Sequence, residues 1–105
     1  MNQKYAPVND LVNAPGQPGS KKKFTSKQGQ YLAFIYAYTQ INRRAPAEAD
    51  MQQYFQVTPP SVHQMVLTLE REGFIQRQPR TARSIRILIE PEKLPVLKQD
   101  QINPS

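Results

Sequence analysis

Four arginines, Arg77, Arg80, Arg83 and Arg86, fall within ten residues that contain no acid. A guanidinium carries permanently charged, forked donors that match phosphate oxygens, so such a cluster is suited to grip a polyanion. Charged side chains also keep exposed strand edges from pairing with other chains, and that role accounts for Arg77 and Arg86 equally well. Arg80 and Arg83, with Thr81 between them, follow Pro79 where the chain has to turn, and edge protection explains them less well. Upstream, Thr58-Pro59-Pro60-Ser61-Val62-His63-Gln64 offers a second kind of chemistry. Gln64 can bond adenine in two-point fashion, Ser61 is a less discriminating donor and acceptor, and Pro60 presents an apolar surface that suits a thymine methyl.

Other chemistries are poorly supplied. The 105 residues hold no cysteine and a single histidine, His63, which leaves neither a disulfide nor the usual ligands of a zinc site. No nucleophile–base pair, phosphate loop or metal-ligand cluster stands out, so neither an enzyme nor a cofactor or metal is expected. The N-terminus lacks the apolar run of a signal peptide, and no stretch approaches the ~18 apolar residues of a membrane span. A soluble, cytoplasmic protein is expected by default. Net charge is +6 and unevenly placed. Residues 1–23 carry four lysines against Asp10, giving +3; residues 24–89 carry one lysine and seven arginines against four acids, giving +4; residues 90–105 come to −1. A polyanion such as nucleic acid is the natural partner for this distribution, although charge alone does not separate that reading from a solvated basic surface.

The elements that must position these residues are legible between two tails. Residues 1–23, rich in Asn, Gln, Pro, Gly and Ser and ending in Lys21-Lys22-Lys23, read as a disordered arm. Residues 90–105 read as a flexible tail in which Leu94, Val96 and Leu97 can dock on the domain or on a partner. Within 24–89, Thr25 or Ser26 can cap a helix running to about Asn42, with Tyr31, Leu32, Ile35 and Tyr38 on its apolar face and Phe34 and Ile41 on its flanks. Arg43-Arg44 suits the negative end of its dipole. Pro46 leads a short second helix, Ala47 to Phe55, with Met51 and Phe55 inward. After Gln56-Val57-Thr58, Pro59 suits the first position of a third helix running to about Glu72, buried along Val62, Val66 and Leu69 and closed by Gly73. Phe74 to Gln78 and the alternating Ser84 to Ile89 flank a turn and form a β-hairpin. The expected fold is α+β, mainly α: a three-helix winged helix-turn-helix with a C-terminal hairpin wing.

In that fold the core stripe of the third helix decides which side chains face outward. Pro60, Ser61, Gln64 and Thr68 lie roughly opposite it and His63 flanks them, as base-facing candidates when the helix enters a major groove. A polar outward face is also what any surface helix shows. Arg77, Arg80, Thr81 and Arg83 on the wing, Lys27 on the first helix and the arm Lys21, Lys22 and Lys23 are the candidates for backbone phosphates. Tyr31, Tyr36, Tyr38 and Tyr54 do not fall on adjacent strands as a base-stacking sheet would require, and read as core or helix surface.

The stretch from about Phe24 to Ile89 resembles the N-terminal DNA-binding domain of the LexA repressor family. The resemblance rests on the Thr25-x-x-Gln28 opening, the Pro46-led second helix, the Thr58-Pro59 cap, the run Leu69-Glu70-Arg71-Glu72-Gly73-Phe74-Ile75 and the closing Ser84-Ile85-Arg86-Ile87-Leu88. It implies a winged helix that binds double-stranded DNA in transcriptional repression, with Thr58, Pro60, Ser61, His63 and Gln64 facing bases by matched position. Repressors of that family carry a second domain, a self-cleaving serine-lysine peptidase that also dimerises. Residues 90–105 are too few to hold it, so neither self-cleavage nor that dimer is expected from these residues. The residues of the third helix depart from the family's acidic and Asn-containing pattern, and a different operator is expected. A protein-interaction module on the same scaffold remains the alternative, and beside DNA the expected partners include a protein or a second copy in a weak homodimer.

Overall fold

A computed structural model describes residues 23–98. Within it the order is α1 (Ser26–Asn42), α2 (Glu48–Phe55), α3 (Pro59–Arg71), β1 (Ile75–Gln76), β2 (Arg86–Ile87) and a 3-10 turn, Pro91–Lys93. Each helix starts and stops where its local chemistry dictates. Thr25 and Gln28 form a reciprocal capping box at α1: the Gln28 N–H donates to Thr25 Oγ1 at 3.1 Å and the Thr25 N–H to Gln28 Oε1 at 2.8 Å. Arg43, left-handed at φ 60°, ends the helix and returns its N–H to the Thr39 carbonyl. Ala47 has no side chain that can cap α2, so Asp50 accepts the Ala47 N–H at 2.8 Å. Gln56, also left-handed, closes α2. Thr58 and Pro59 open α3. Gly73, at φ 84°, closes it, with Gly73 N–H bonded to the Glu70 carbonyl and Phe74 N–H to that of Leu69. This is the paired bonding of a Schellman end, for which a residue without a Cβ is best suited.

The core is one cluster. Tyr31, Leu32, Phe34 and Ile35 of α1 meet Met51 and Phe55 of α2 and Val62, Val66 and Leu69 of α3, and Phe74, Ile75 and Ile89 close it from the hairpin side. Tyr31 stacks on Phe55 with ring centroids 4.1 Å apart. The apolar face expected of α1 is displaced towards its first half, because that half is covered on every side from Gln28 to Ile35. Phe34, expected on a flank, is buried, and Ile41 is 78% exposed.

The hairpin is shorter than the alternation from Ser84 to Ile89 suggests. Ile75 pairs with Ile87 and Gln76 with Arg86, and the Leu88 N–H reaches the Phe74 carbonyl at 2.9 Å. Residues 78–84 form a turn instead of continuing the ladder. Arg80 and Arg83 are left-handed at φ 58°, the Ser84 hydroxyl accepts the Gln78 N–H at 3.0 Å and donates to the Thr81 carbonyl at 2.8 Å, and the Thr81 N–H bonds the Gln78 carbonyl. Hydroxyls that bond nearby backbone compete with sheet pairing in this way.

Residues 90–98 do not hang free as the expected tail. After the 3-10 turn, Leu94 and Leu97 pack against the core while Val96 stays 83% exposed. The buried amide of Gln30 takes the place of a strand partner: its Nε2 donates to the Val96 carbonyl at 2.9 Å and its Oε1 accepts the Lys98 N–H at 2.8 Å. Neighbouring Gly29 makes room, since a Cβ there would lie 3.0 Å from both the Phe24 ring and Pro95. The packed unit therefore extends past Ile89 to at least Lys98.

Candidate nucleic-acid interface

The turn Gln56-Val57-Thr58 sets α3 against α2, and the fully buried Val62, Val66 and Leu69 fix the rotation of α3 about its axis. Thr58, Pro60, Ser61, His63 and Gln64 are consequently exposed together on its first turns, as the sequence pattern expects. Thr58 Oγ1 accepts the Ser61 N–H at 3.3 Å and lies 3.0 Å from the Ser61 hydroxyl, so these two polar groups are mutually oriented. His63 Nδ1 lies 3.3 and 3.4 Å from the Glu48 carboxylate oxygens, a long contact from the start of α2 to the second turn of α3. The Gln64 side chain makes no hydrogen bond among the described residues. Thr68, further along, is half-buried and lies 3.5 Å from Arg71 Nη2.

The wing is organised differently. Arg77 turns its Nε to Glu70 Oε1 at 3.0 Å, tying the first leg of the hairpin to the end of α3. Arg83 points back into the domain: its Nη1 lies within hydrogen-bond distance of the Tyr38 hydroxyl (3.1 Å), the Ala45 carbonyl (3.2 Å) and Asp50 Oδ2 (3.1 Å). One side chain thus reaches α1, the α1–α2 connection and α2. The hydrogen bond to Tyr38 foremost, together with the Asp50 carboxylate, outweighs the lowering from burial and raises the guanidinium pKa above its ordinary value. Between these two anchored arginines, Arg80 is exposed and makes no hydrogen bond among the described residues, and Thr81 donates to the Pro79 carbonyl at 3.2 Å. Arg86, Lys23 and Lys27 are exposed. Lys21 and Lys22 lie outside the described residues.

Sequence reasoning singled out the arginines but missed what holds them. Asp50, Tyr38, Ala45 and Glu70 are the acceptors, and only Asp50 had a local signal, standing three residues after Ala47, the cap of α2, where a carboxylate satisfies the first free N–H groups. The tyrosines stay with the fold: Tyr31 is in the core, Tyr38 holds Arg83, and the Tyr54 hydroxyl is buried without a partner. No helix among the described residues is long and apolar enough to cross a membrane, and none of their His, Asp and Glu side chains group to hold a metal ion.

Two helices joined by a tight turn, a third packed across them and an antiparallel hairpin beside the exposed helix define a winged helix-turn-helix domain. Residues 21–84 match the family model described as the LexA DNA binding domain, and the chain belongs to that family. It is 35% identical over 82 residues to the LexA repressor of Thermosipho africanus, covering 78% of this chain and 41% of the relative. It is 38% identical over 73 residues to the LexA repressor of Thermosipho melanesiensis, covering 70% and 37%, and 33% identical over 69 residues to that of Erythrobacter litoralis, covering 65% and 30%. The chain spans about two fifths or less of the length of these curated relatives.

Proposed function

We propose that this domain reads double-stranded DNA as the binding part of a transcriptional repressor, with α3 in the major groove and the wing on the adjacent backbone. The observation that carries this reading is the set of exposed polar side chains on the first turns of α3, with Gln64 unengaged, in a domain whose only unengaged arginine on the turn itself is Arg80. Gln64 is assigned to a base edge, together with Pro60, Ser61 and His63, and with Thr58 at the helix start. Thr68, further from the helix start and beside Arg71, is placed at the edge of the groove. Backbone phosphates are assigned to Arg80, Lys23 and Lys27, with Lys21 and Lys22 as further candidates. Arg77 and Arg83 are better explained by their internal partners than by phosphates.

Selection of bound sequences from a random duplex library, followed by shift assays across a salt series, tests the reading. Three to five phosphate-neutralising groups predict a log–log salt slope from about −2.7 to about −4.5. Gln64→Ala is expected to relax base choice at one position by about 1 to 3 kcal/mol. A loss uniform over all sequences would move Gln64 to the backbone, and no shift of any duplex at low salt would favour the protein-interaction alternative.

A further inference from the structure

We propose that Arg83 is a positioning residue: it anchors the wing turn to the helix-turn-helix, so that Arg80 meets the duplex held by α3, while Arg83 itself leaves the DNA untouched. The role rests on the DNA-reading function proposed above, but the anchoring does not. The tip of the wing has little else to place it, because the ladder pairs only two residues on each strand and the apolar packing of Ile75, Ile85, Ile87 and Ile89 lies at the base of the hairpin. Its turn hangs between two tethers spaced three residues either side of Arg80. Arg77 fastens one leg to Glu70 of α3, and Arg83 fastens the other to Tyr38, Ala45 and Asp50. Asp50 Oδ2 accepts the Ala47 N–H as well as the Arg83 guanidinium, so a single carboxylate oxygen holds both the first turn of α2 and the wing. The helix that supports α3 and the turn that presents Arg80 are therefore referred to the same atom.

The chemistry favours arginine at this place. All three acceptors are met at Nη1, the far end of the side chain. A lysine ammonium sits one bond closer to the backbone and, as a compact point charge without the planar fork, does not reproduce the arrangement. A phosphate contact would behave otherwise, since lysine also binds phosphate through its charge. Arg83→Lys therefore separates the two roles, and Asp50→Asn disturbs the anchor from a residue on the other side of it.

The experiment compares the 105-residue wild type with Arg83→Lys, Asp50→Asn, Arg80→Asn (asparagine tolerates the left-handed backbone at this position) and the Arg80→Asn/Arg83→Lys double variant. In the free protein, amide exchange at Gln78 and Thr81 is expected to speed up about tenfold in Arg83→Lys and Asp50→Asn, with core amides such as Val66 unchanged and Arg80→Asn like wild type. On a selected duplex, Arg80→Asn should lower the salt slope by about 1 in the wild-type background and by much less in the Arg83→Lys background. Additive effects of the two substitutions, or an Arg83→Lys protein with wild-type wing exchange and wild-type affinity, would overturn the proposal. Wild-type failure to bind any duplex overturns the DNA-reading function and, with it, the role towards Arg80. Unchanged wing exchange with DNA binding intact overturns the anchoring alone.

Discussion

The outward face of α3 and the wing are neighbouring polar surfaces held in place by opposite means. On α3 the positioning is apolar: Val62, Val66 and Leu69 are completely buried behind it, and the polar side chains in front are left to solvent. At the tip of the wing, beyond the apolar packing of Ile75, Ile85, Ile87 and Ile89 at its base, the positioning is polar: two tethers, Arg77–Glu70 and Arg83 with its three acceptors, stand where a longer ladder would otherwise be. Burial of apolar surface is insensitive to ionic strength, whereas half-exposed ion pairs weaken with salt. The outward face of α3 thus rests on packing that ionic screening does not weaken, and the tip of the wing rests on contacts that it does. A cluster of arginines is consequently a poor count of contacts available to a ligand, since two of the four here serve the fold.

Removing the apolar backing breaks this contrast most strongly. Leu69→Ala, at a fully buried site, is expected to cost about 2 to 5 kcal/mol in urea unfolding, a large share of the stability of so small a domain. A loss below about 1 kcal/mol would mean that α3 is held by something other than its stripe. Next comes the start of α3. Thr58→Ala removes a cap whose bond is long at 3.3 Å, so the expected loss is about 0.5 to 1 kcal/mol, measured by thermal unfolding; Thr25→Ala, which breaks a tighter reciprocal box, should cost at least as much.

The wing tether should show the smaller effect. Glu70→Ala frees Arg77 and is expected to change global stability by about 1 kcal/mol or less while speeding exchange at the wing amides, with the difference from wild type shrinking in high salt. A global loss above about 2 kcal/mol would place this pair among the determinants of the core. The smallest change is expected from Tyr54→Phe, which removes a buried hydroxyl without a partner and should be neutral or stabilising by a few tenths of a kcal/mol to about 1. Burial raises the pKa of Tyr54 and of Tyr31 above the usual phenol value near 10. Both phenols are neutral, folded or unfolded, below that value. The contribution of these two phenols to stability should therefore be flat around neutrality and fall as pH rises past about 10, where the unfolded chain ionises first. In Tyr54→Phe that alkaline fall should be shallower, which circular dichroism against pH can follow.

The parts of this molecule that were legible in its sequence are those decided within a few residues. Thr25 with Gln28, Thr58 with Pro59, and Gly73 each satisfy backbone groups of a neighbouring turn, and the Val62–Val66–Leu69 spacing fixes which way Gln64 faces. The LexA resemblance carried by those same stretches agrees with the family match over residues 21–84. The length of the wing ladder was less legible, because the Ser84 hydroxyl competes with strand pairing in a stretch whose alternation still reads as strand.

What the sequence determined by itself was the succession of helices, their caps and the polar face of α3, because side-chain periodicity and local hydrogen bonds need no distant partner. Tertiary structure decided which charges and tails are free. Arg83 is joined to residues 33 to 45 positions earlier, and Gln30 reaches Val96 and Lys98 across 66 and 68 positions. A guanidinium or a buried amide must find its acceptors wherever packing brings them, since leaving such a group unpaired inside the domain is costly. Only the folded chain shows that Arg80 faces solvent, that Arg83 turns back to α1 and α2, and that residues 94–98 lie along α1.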